Sequence, residues 1–350
     1  MSDKKLLVGI THGDINGIGY EIIIKSLSDP RILESFTPIV YGSSKVASYH
    51  RKALNIENFS FNQIRSASEA HSKRANIINC TDEEVKVDPG RSTPEAGKAA
   101  FDAIERAVAD LKKGEIDVLV TAPINKQNIQ SKNFQFPGHT EYLEKAFGSD
   151  HALMFLVSDM MRVGVVTGHV PLSQVPSMIK KDLILQKIRI MNKSLFEDFG
   201  IRRPKIAVLG LNPHAGDNGF IGKEEIDEII PALKIAREEK ILAMGPYPAD
   251  GFFGSGTFRK FDAILAMFHD QGLIPFKSLA FESGVNFTAG LPVVRTSPAH
   301  GTAYDLVNKN EASADSFRKA LFMACDIYYK RQEFRELTAN PLEIQDHSNL

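Results

Sequence analysis

Short apolar runs alternate with amphipathic helix patterns along nearly the whole chain, and this alternation limits the possible folds more than any single motif. Strand-like runs fall at residues 6–10, 38–41, 75–79, 118–123, 205–211, 263–268 and 293–295. They are short and bounded by turn or polar residues, as strands buried on both faces must be. Helix periodicity covers 20–27, 94–113, 182–199, 223–239 and 313–336. In 94–113, Phe101, Ile104, Val108 and Leu111 share one face, Pro94 suits the first turn and Gly114 the stop. Runs at 152–157 and 162–166, joined around Ser158 and Asp159, read as an antiparallel pair. Such a repeat predicts a mostly parallel, three-layer α/β/α architecture.

At 350 residues the chain exceeds what one growing core normally serves, so two domains or one divided domain are expected. A hydrophobic content of 43% and a charged content of 24% are those of a soluble globular protein. The net charge of -1 offers no electrostatic footprint for nucleic acid or an anionic membrane. No apolar run approaches the roughly 18 residues needed to cross a bilayer, and residues 6–10 are too few for a signal-peptide core. Cys80 and Cys325 stand alone, outside any CxxC. That usage fits a reducing compartment, so a cytoplasmic location is expected.

Three histidines each stand where an apolar run ends: His169 after Val165-Val166-Thr167-Gly168, His214 after Leu209-Gly210-Leu211-Asn212-Pro213, and His269 after Leu265-Ala266-Met267-Phe268. In open α/β sheets the ligand crevice lies outside the carboxyl ends of the strands. One histidine there is an ordinary polar residue at a strand end. Three make a candidate metal site with a position left open for substrate. Neutral imidazoles suit zinc, cobalt or nickel, and substrate oxygens would let magnesium or manganese in.

Other segments carry weaker signals. The first turn, Gly13-Asp14-Ile15-Asn16-Gly17-Ile18-Gly19, lies between a strand and a helix. Its glycines are spaced GxxxGxG, not GxGxxG, and it reads equally as a tight turn or a ligand loop. His139 and Thr140 open a helix pattern; Thr140 could cap it, or the pair could hold a phosphate or carboxylate. Lys277, Asn286 and Arg295 form a set of anion receptors, Arg295 offering a fork and Lys277 a point charge. Lys277 could also relay a proton beside a metal. Asp250 and Asp270 either orient imidazole N–H groups or cap turns.

Read in order, these pieces resemble the 4-hydroxythreonine-4-phosphate dehydrogenase family of vitamin B6 biosynthesis. The matching motifs are Gly-Asp-x-x-Gly-Ile-Gly at 13–19, Thr-Ala-Pro-Ile-Asn-Lys at 121–126, Pro-Gly-His-Thr-Glu at 137–141 and Thr-Gly-His-Val-Pro-Leu at 167–172. Leu-Asn-Pro-His-Ala-Gly at 211–216, His-Asp-Gln-Gly-Leu at 269–273, Arg-Thr-Ser at 295–297 and His-Gly-Thr-Ala at 300–303 follow. One departure is the first loop, which has Thr-His-Gly-Asp-Ile-Asn at 11–16 where many members have prolines; without them the loop is less pre-set.

The resemblance implies an isocitrate/isopropylmalate dehydrogenase-like fold of two α/β/α lobes. The first lobe would hold residues 1–135 and 285–350, and the second residues 136–284 with the dimer interface. The active site would lie in the cleft between them. It implies a homodimer whose divalent metal (zinc, magnesium or cobalt) is held by His169, His214 and His269 drawn from both subunits. Substrate contacts would come from His139, Thr140, Lys277, Asn286 and Arg295. NAD or NADP would lie against His300, Gly301, Thr302 and Ala303. The implied reaction oxidises 4-phosphooxy-L-threonine to 2-amino-3-oxo-4-phosphooxybutanoate, which decarboxylates to 3-amino-2-oxopropyl phosphate. A paralogous dehydrogenase of 4-phospho-D-threonate or 4-phospho-D-erythronate is the runner-up. A metal-dependent aldolase or hydrolase would share the histidines but bind no nicotinamide.

Overall fold

The computed structural model describes residues 5–81, 84–149 and 151–340. Its strands are β1 (Leu6–Thr11), β2 (Phe36–Gly42), β3 (Asn62–Ile64), β4 (Asn76–Asn79), β5 (Val118–Thr121) and β6 (Leu153–Val157). The others are β7 (Arg162–Thr167), β8 (Lys205–Leu209), β9 (Leu242–Tyr247), β10 (Ala263–Phe268), β11 (Val285–Ala289) and β12 (Arg295–Pro298). Between them run α1 (Gly19–Leu27), α2 (Ile32–Ser35), α3 (Ser44–Ala53), α4 (Pro94–Lys113), α5 (His139–Phe147) and α6 (Val175–Met178). The remaining helices are α7 (Lys181–Glu197), α8 (Ile230–Glu238), α9 (Ala249–Gly254), α10 (His269–Ala280) and α11 (Asp315–Thr338).

All twelve strands join one sheet in the order β3-β4-β2-β1-β5-β12-β11-β6-β7-β10-β8-β9. Pairing is parallel from β3 to β12 and again from β7 to β9. Antiparallel β11 and β6 lie between these sets. The expected antiparallel pair is therefore present, and the strands of the two expected lobes meet edge to edge at β11–β6. Helices cover both faces. Val118 and Val120 of β5 share a core with Phe317, Ala320 and Leu321 of α11. Leu119 between them faces Ile104, Ala107 and Val108 of α4. β10 alternates in the same way, Leu265 and Met267 toward one cluster and Ile264 and Ala266 toward another. That alternation is what a three-layer architecture requires.

Several expectations shift. The strand expected at 293–295 is β12, starting at Arg295, and β3, β9, β11, α3 and α10 are additional to the expected elements. The helix expected over 223–239 starts with a π turn, Glu225–Ile229, before α8. The carboxy-terminal helix pattern continues as α11 to Thr338. Among the described residues no helix is long and apolar enough to cross a membrane.

The first loop proves to be a packed turn. Residues 11–19 are all buried. Gly13 has φ +72°, and a Cβ there would collide with the Pro123 carbonyl oxygen. His12 is fully enclosed, its Nε2 3.0 Å from the Ala99 carbonyl and its Nδ1 3.0 Å from the Tyr20 hydroxyl. Burial drives its pKa down to about 4. The native state thus excludes a proton that the unfolded chain accepts below about pH 6.5, so stability is complete above that pH and falls as pH drops toward 4. At pH 5 the loss from this group is about 2 kcal/mol. His50, stacked on Tyr20 and also shifted down by burial, adds in the same direction. Urea midpoints should fall from pH 7 to pH 5, and His12→Gln, though less stable at pH 7, should show a flatter fall. An unchanged slope would assign the acid sensitivity elsewhere.

Candidate active site

A cleft of about 260 Å³ lies over the strands where pairing changes from parallel to antiparallel. Register builds its floor. Asn286 of β11 pairs with Ser297 of β12 on one side and Leu156 of β6 on the other, and Thr288 pairs with Met154. Alternation then puts Arg295 on the same face, where its guanidinium reaches Thr288. The walls are the segment after β5, the start of α5, the ends of β7 and β10, and residues 298–301.

Arg295 dominates the electrostatics. It is 3% exposed, and its guanidinium meets only hydroxyls: Thr121 Oγ1 at 2.6 and 3.2 Å and Thr288 Oγ1 at 3.1 Å. Among the described residues no carboxylate forms an ion pair with it; Glu141 acts on it only through its charge. Burial lowers its pKa to about 10, so it remains a cation at neutral pH. A buried charge without a counter-charge is expensive unless a ligand supplies one. Around it, among the described residues, His139 Nε2, Asn286 Oδ1 and His300 Nε2 are buried and have no hydrogen-bond partner. The uncompensated cation calls for an anionic group, and the Asn286 amide oxygen, which can only accept, calls for a hydroxyl or ammonium donor on the same ligand. Capping does not account for Thr140, because Gly138 is the N-cap of α5 and no side chain caps the helix. Burial, then the charges of Arg295 and Lys126, hold the His139 pKa well below its usual value. It is therefore a neutral imidazole at the cleft wall.

Two of the three strand-end histidines come together. The rings of His169 and His269 are 5.7 Å apart, tilted by 44°. Asp270 Oδ1 lies 2.7 Å from His269 Nδ1, which fixes the ring and leaves Nε2 for the cleft. His169 Nε2 lies 3.0 Å from Lys126 Nζ. Burial, then Lys126, lowers the His169 pKa, keeping the ring neutral. This donor pair suits a divalent cation.

His214 is elsewhere. It follows β8, beside β10 in the sheet, but every residue from His214 to Asn218 has positive φ, and this turn leaves His214 exposed outside the cleft. Among the described residues of one chain, no three His, Cys, Asp or Glu side chains are grouped to hold a metal. Asp250 is likewise outside: exposed in the first turn of α9, it accepts from the Gly251 amide at 2.7 Å. Lys277 lines the cleft from the last turn of α10. His300 and Gly301 line it too, whereas Thr302 turns its carbonyl to the Ile18 amide at 3.1 Å, and Ala303 lies outside the lining.

Sequence reasoning missed Thr121, Lys126, Glu141, Thr288 and Ser297. Lys126 follows the carboxyl end of β5, so the rule that singled out the histidines would have found it. It is half-buried, which lowers its pKa, partly offset by Glu141. A larger surface groove, about 970 Å³ beside α7 and α11, lacks these features: among the described residues it contains no unpartnered buried polar atom, and its Arg331 is paired with Asp198 at 2.6 Å.

The family profile described as "Pyridoxal phosphate biosynthetic protein PdxA" matches residues 34–324. The chain is 56% identical over 347 residues to 4-hydroxythreonine-4-phosphate dehydrogenase of Bacteroides thetaiotaomicron, covering 99% of this chain and 95% of that protein. A relative from Oceanobacillus iheyensis, provisionally named D-threonate 4-phosphate dehydrogenase, is 39% identical over 328 residues, covering 93% and 98%. The crystal structure of 4-hydroxythreonine-4-phosphate dehydrogenase from Klebsiella pneumoniae superposes with TM-score 0.79 at 34% identity, covering 93% of this chain and 99% of that one. In fold alone, the likeness extends to isocitrate dehydrogenase from Methylococcus capsulatus, with TM-score 0.50 at 12% identity, covering 95% and 89%.

Proposed function

The chain belongs to the PdxA family of pyridoxal phosphate biosynthetic proteins, and on that basis we propose that it oxidises 4-phosphooxy-L-threonine at C3 with NAD or NADP. The product, 2-amino-3-oxo-4-phosphooxybutanoate, loses CO2 to give 3-amino-2-oxopropyl phosphate. The observation that carries this reading is Arg295: a buried guanidinium answered only by hydroxyls calls for an anionic substrate.

Arg295, Asn286 and His139 grip one anionic end of the substrate, with Thr140 at the mouth of α5 and Lys277 across the cleft. His169 and His269 hold a divalent ion, oriented by Asp270 and completed by His214 of a second subunit. When bound, that ion would supply Lewis acidity at the C3 hydroxyl, and a nicotinamide would supply the hydride acceptor. Residues 300–303 receive the cofactor, to which His300 offers an unpartnered Nε2. Lys277 is placed to move the hydroxyl proton toward solvent.

Absorbance of the reduced nicotinamide, followed with 4-phosphooxy-L-threonine, 4-phospho-D-threonate and 4-phospho-D-erythronate, tests the assignment. The phosphothreonine should give the highest kcat/KM. A sugar acid in first place would move the enzyme to the paralogous activity, and no reduction with any of them would remove the dehydrogenase reading.

Sharing of the metal site has its own test. Because His169 and His269 meet within one chain, His214 is the ligand to be exchanged. Mixing inactive His169→Ala with inactive His214→Ala protein should restore at most about a quarter of wild-type activity, since random exchange makes half the dimers mixed, each with one intact site. His169→Ala mixed with His269→Ala should restore none. Recovery in the second mixture and not the first would reverse the assignment.

A further inference from the structure

The first loop packs behind the segment expected to hold the cofactor. Asp14 is 1% exposed, and its Oδ2 accepts from the Tyr304 hydroxyl at 2.7 Å and from Asn128 Nδ2 at 2.8 Å. Its Oδ1 accepts from the Asn16 amide at 2.9 Å, and its own amide donates to the Pro123 carbonyl at 2.9 Å. The carboxylate thus joins the segment after β5, through Asn128, to the segment after β12, through Tyr304. On the other side, the Ile18 amide donates to the Thr302 carbonyl at 3.1 Å, and Gly17 leaves no room for a side chain, since a Cβ would lie 2.8 Å from that oxygen.

Residues 300–304 are therefore held twice, by backbone at Thr302 and by side chain at Tyr304. Between these anchors Ala303 has φ +42° and ψ 56°, a left-handed conformation unfavourable for a non-glycine residue that persists only where its surroundings impose it. The phenol also meets Asn125 and Ser92, and its pKa is raised to about 12, so it stays a donor across the working range. What this clamp presents to the cleft is His300, with its unpartnered Nε2, and Gly301, whose α-carbon faces open space.

We propose that Asp14 and Tyr304 are positioning residues for the nicotinamide cofactor: their hydrogen bond locks residues 300–303 in the conformation that offers His300 and Gly301 to it. This rests on the reading that the segment receives NAD or NADP. The lock also gives the first loop a purpose. Asn16 holds the same loop from its other side, its side-chain amide donating to the Arg91 carbonyl at 2.9 Å and the Thr93 hydroxyl at 3.2 Å.

Tyr304→Phe removes the hydroxyl and little else. Fluorescence titration of the full-length protein with NADH and with NADPH should show Kd raised roughly 5- to 20-fold, the loss of one hydrogen bond to a charged group. KM for the oxidised cofactor should rise in parallel, kcat at saturating cofactor should stay within about twofold, and KM for the phosphorylated substrate should not move. Asp14→Asn should shift Kd in the same direction. A lower Tm with unchanged Kd, or substrate and cofactor KM rising together, would overturn the positioning role and leave a structural brace. His300→Ala separates the premise: if that variant binds NADH and NADPH as tightly as wild type, the cofactor does not use this segment, and the proposal falls with the premise.

Discussion

Alanine at His169 or His269 should lower kcat by at least about a thousandfold while leaving the fold intact, because each change removes a donor from an open metal site. Both rings sit at the wall of the cleft, so truncation opens no core cavity. Circular dichroism and Tm should stay close to wild type while bound metal, measured on the purified protein, falls. His214→Ala should be equally inactive if it completes the site across the dimer, although it touches nothing in the cleft of its own chain. A chelator should reproduce the defect, and zinc, cobalt or magnesium should reverse it. Asp270→Asn belongs to the same series: it loosens the His269 ring without removing a ligand, and metal affinity should drop about 10- to 100-fold. Full activity in any one histidine variant would take that residue out of the site.

Arg295 should give the second large effect, and one of unusual sign. Arg295→Ala should cost about 1.5–3 kcal/mol in transition-state binding, roughly 10- to 150-fold in kcat/KM for the phosphorylated substrate. Arg295→Lys should recover only part of it, since a point charge cannot replace a fork spanning Thr121 and Thr288. Ligand-free stability should behave differently. The guanidinium pays desolvation with no carboxylate in return, so Arg295→Met, similar in volume and neutral, should unfold at the same or higher denaturant concentration than wild type. Loss of activity together with a clear loss of stability would mean that Arg295 serves the core and not a ligand. Unchanged kcat/KM in Arg295→Ala would refute the anion site directly.

Central parallel strands such as β5 and β10 were legible because burial on both faces leaves continuous apolar runs, Val118-Leu119-Val120 and Ala263–Phe268. α4 was legible to the residue, from Pro94 to Lys113, because its stripe, first-turn proline and terminal glycine agree. The family motifs likewise identified the chemistry. β11 left a readable trace, the alternation Val285-Asn286-Phe287-Thr288-Ala289, which went unused although its polar face is the cleft floor.

β12 left almost none. Arg295-Thr296-Ser297-Pro298 has no apolar residue before its proline yet is buried throughout, because β5 and β11 pair with it on either side. Nor could sequence separate the three histidines. Each ends a buried strand, and only the left-handed course of residues 214–218 turns one of them away. Local patterns in this chain determined which segments become strands and helices, because burial and capping act over a few neighbouring residues. Whether Arg295 has a counter-charge, and which strand ends share a cleft, depends on residues 43 to 174 positions apart. That was decided only when Thr121 was folded against Arg295 and Lys126 against His169.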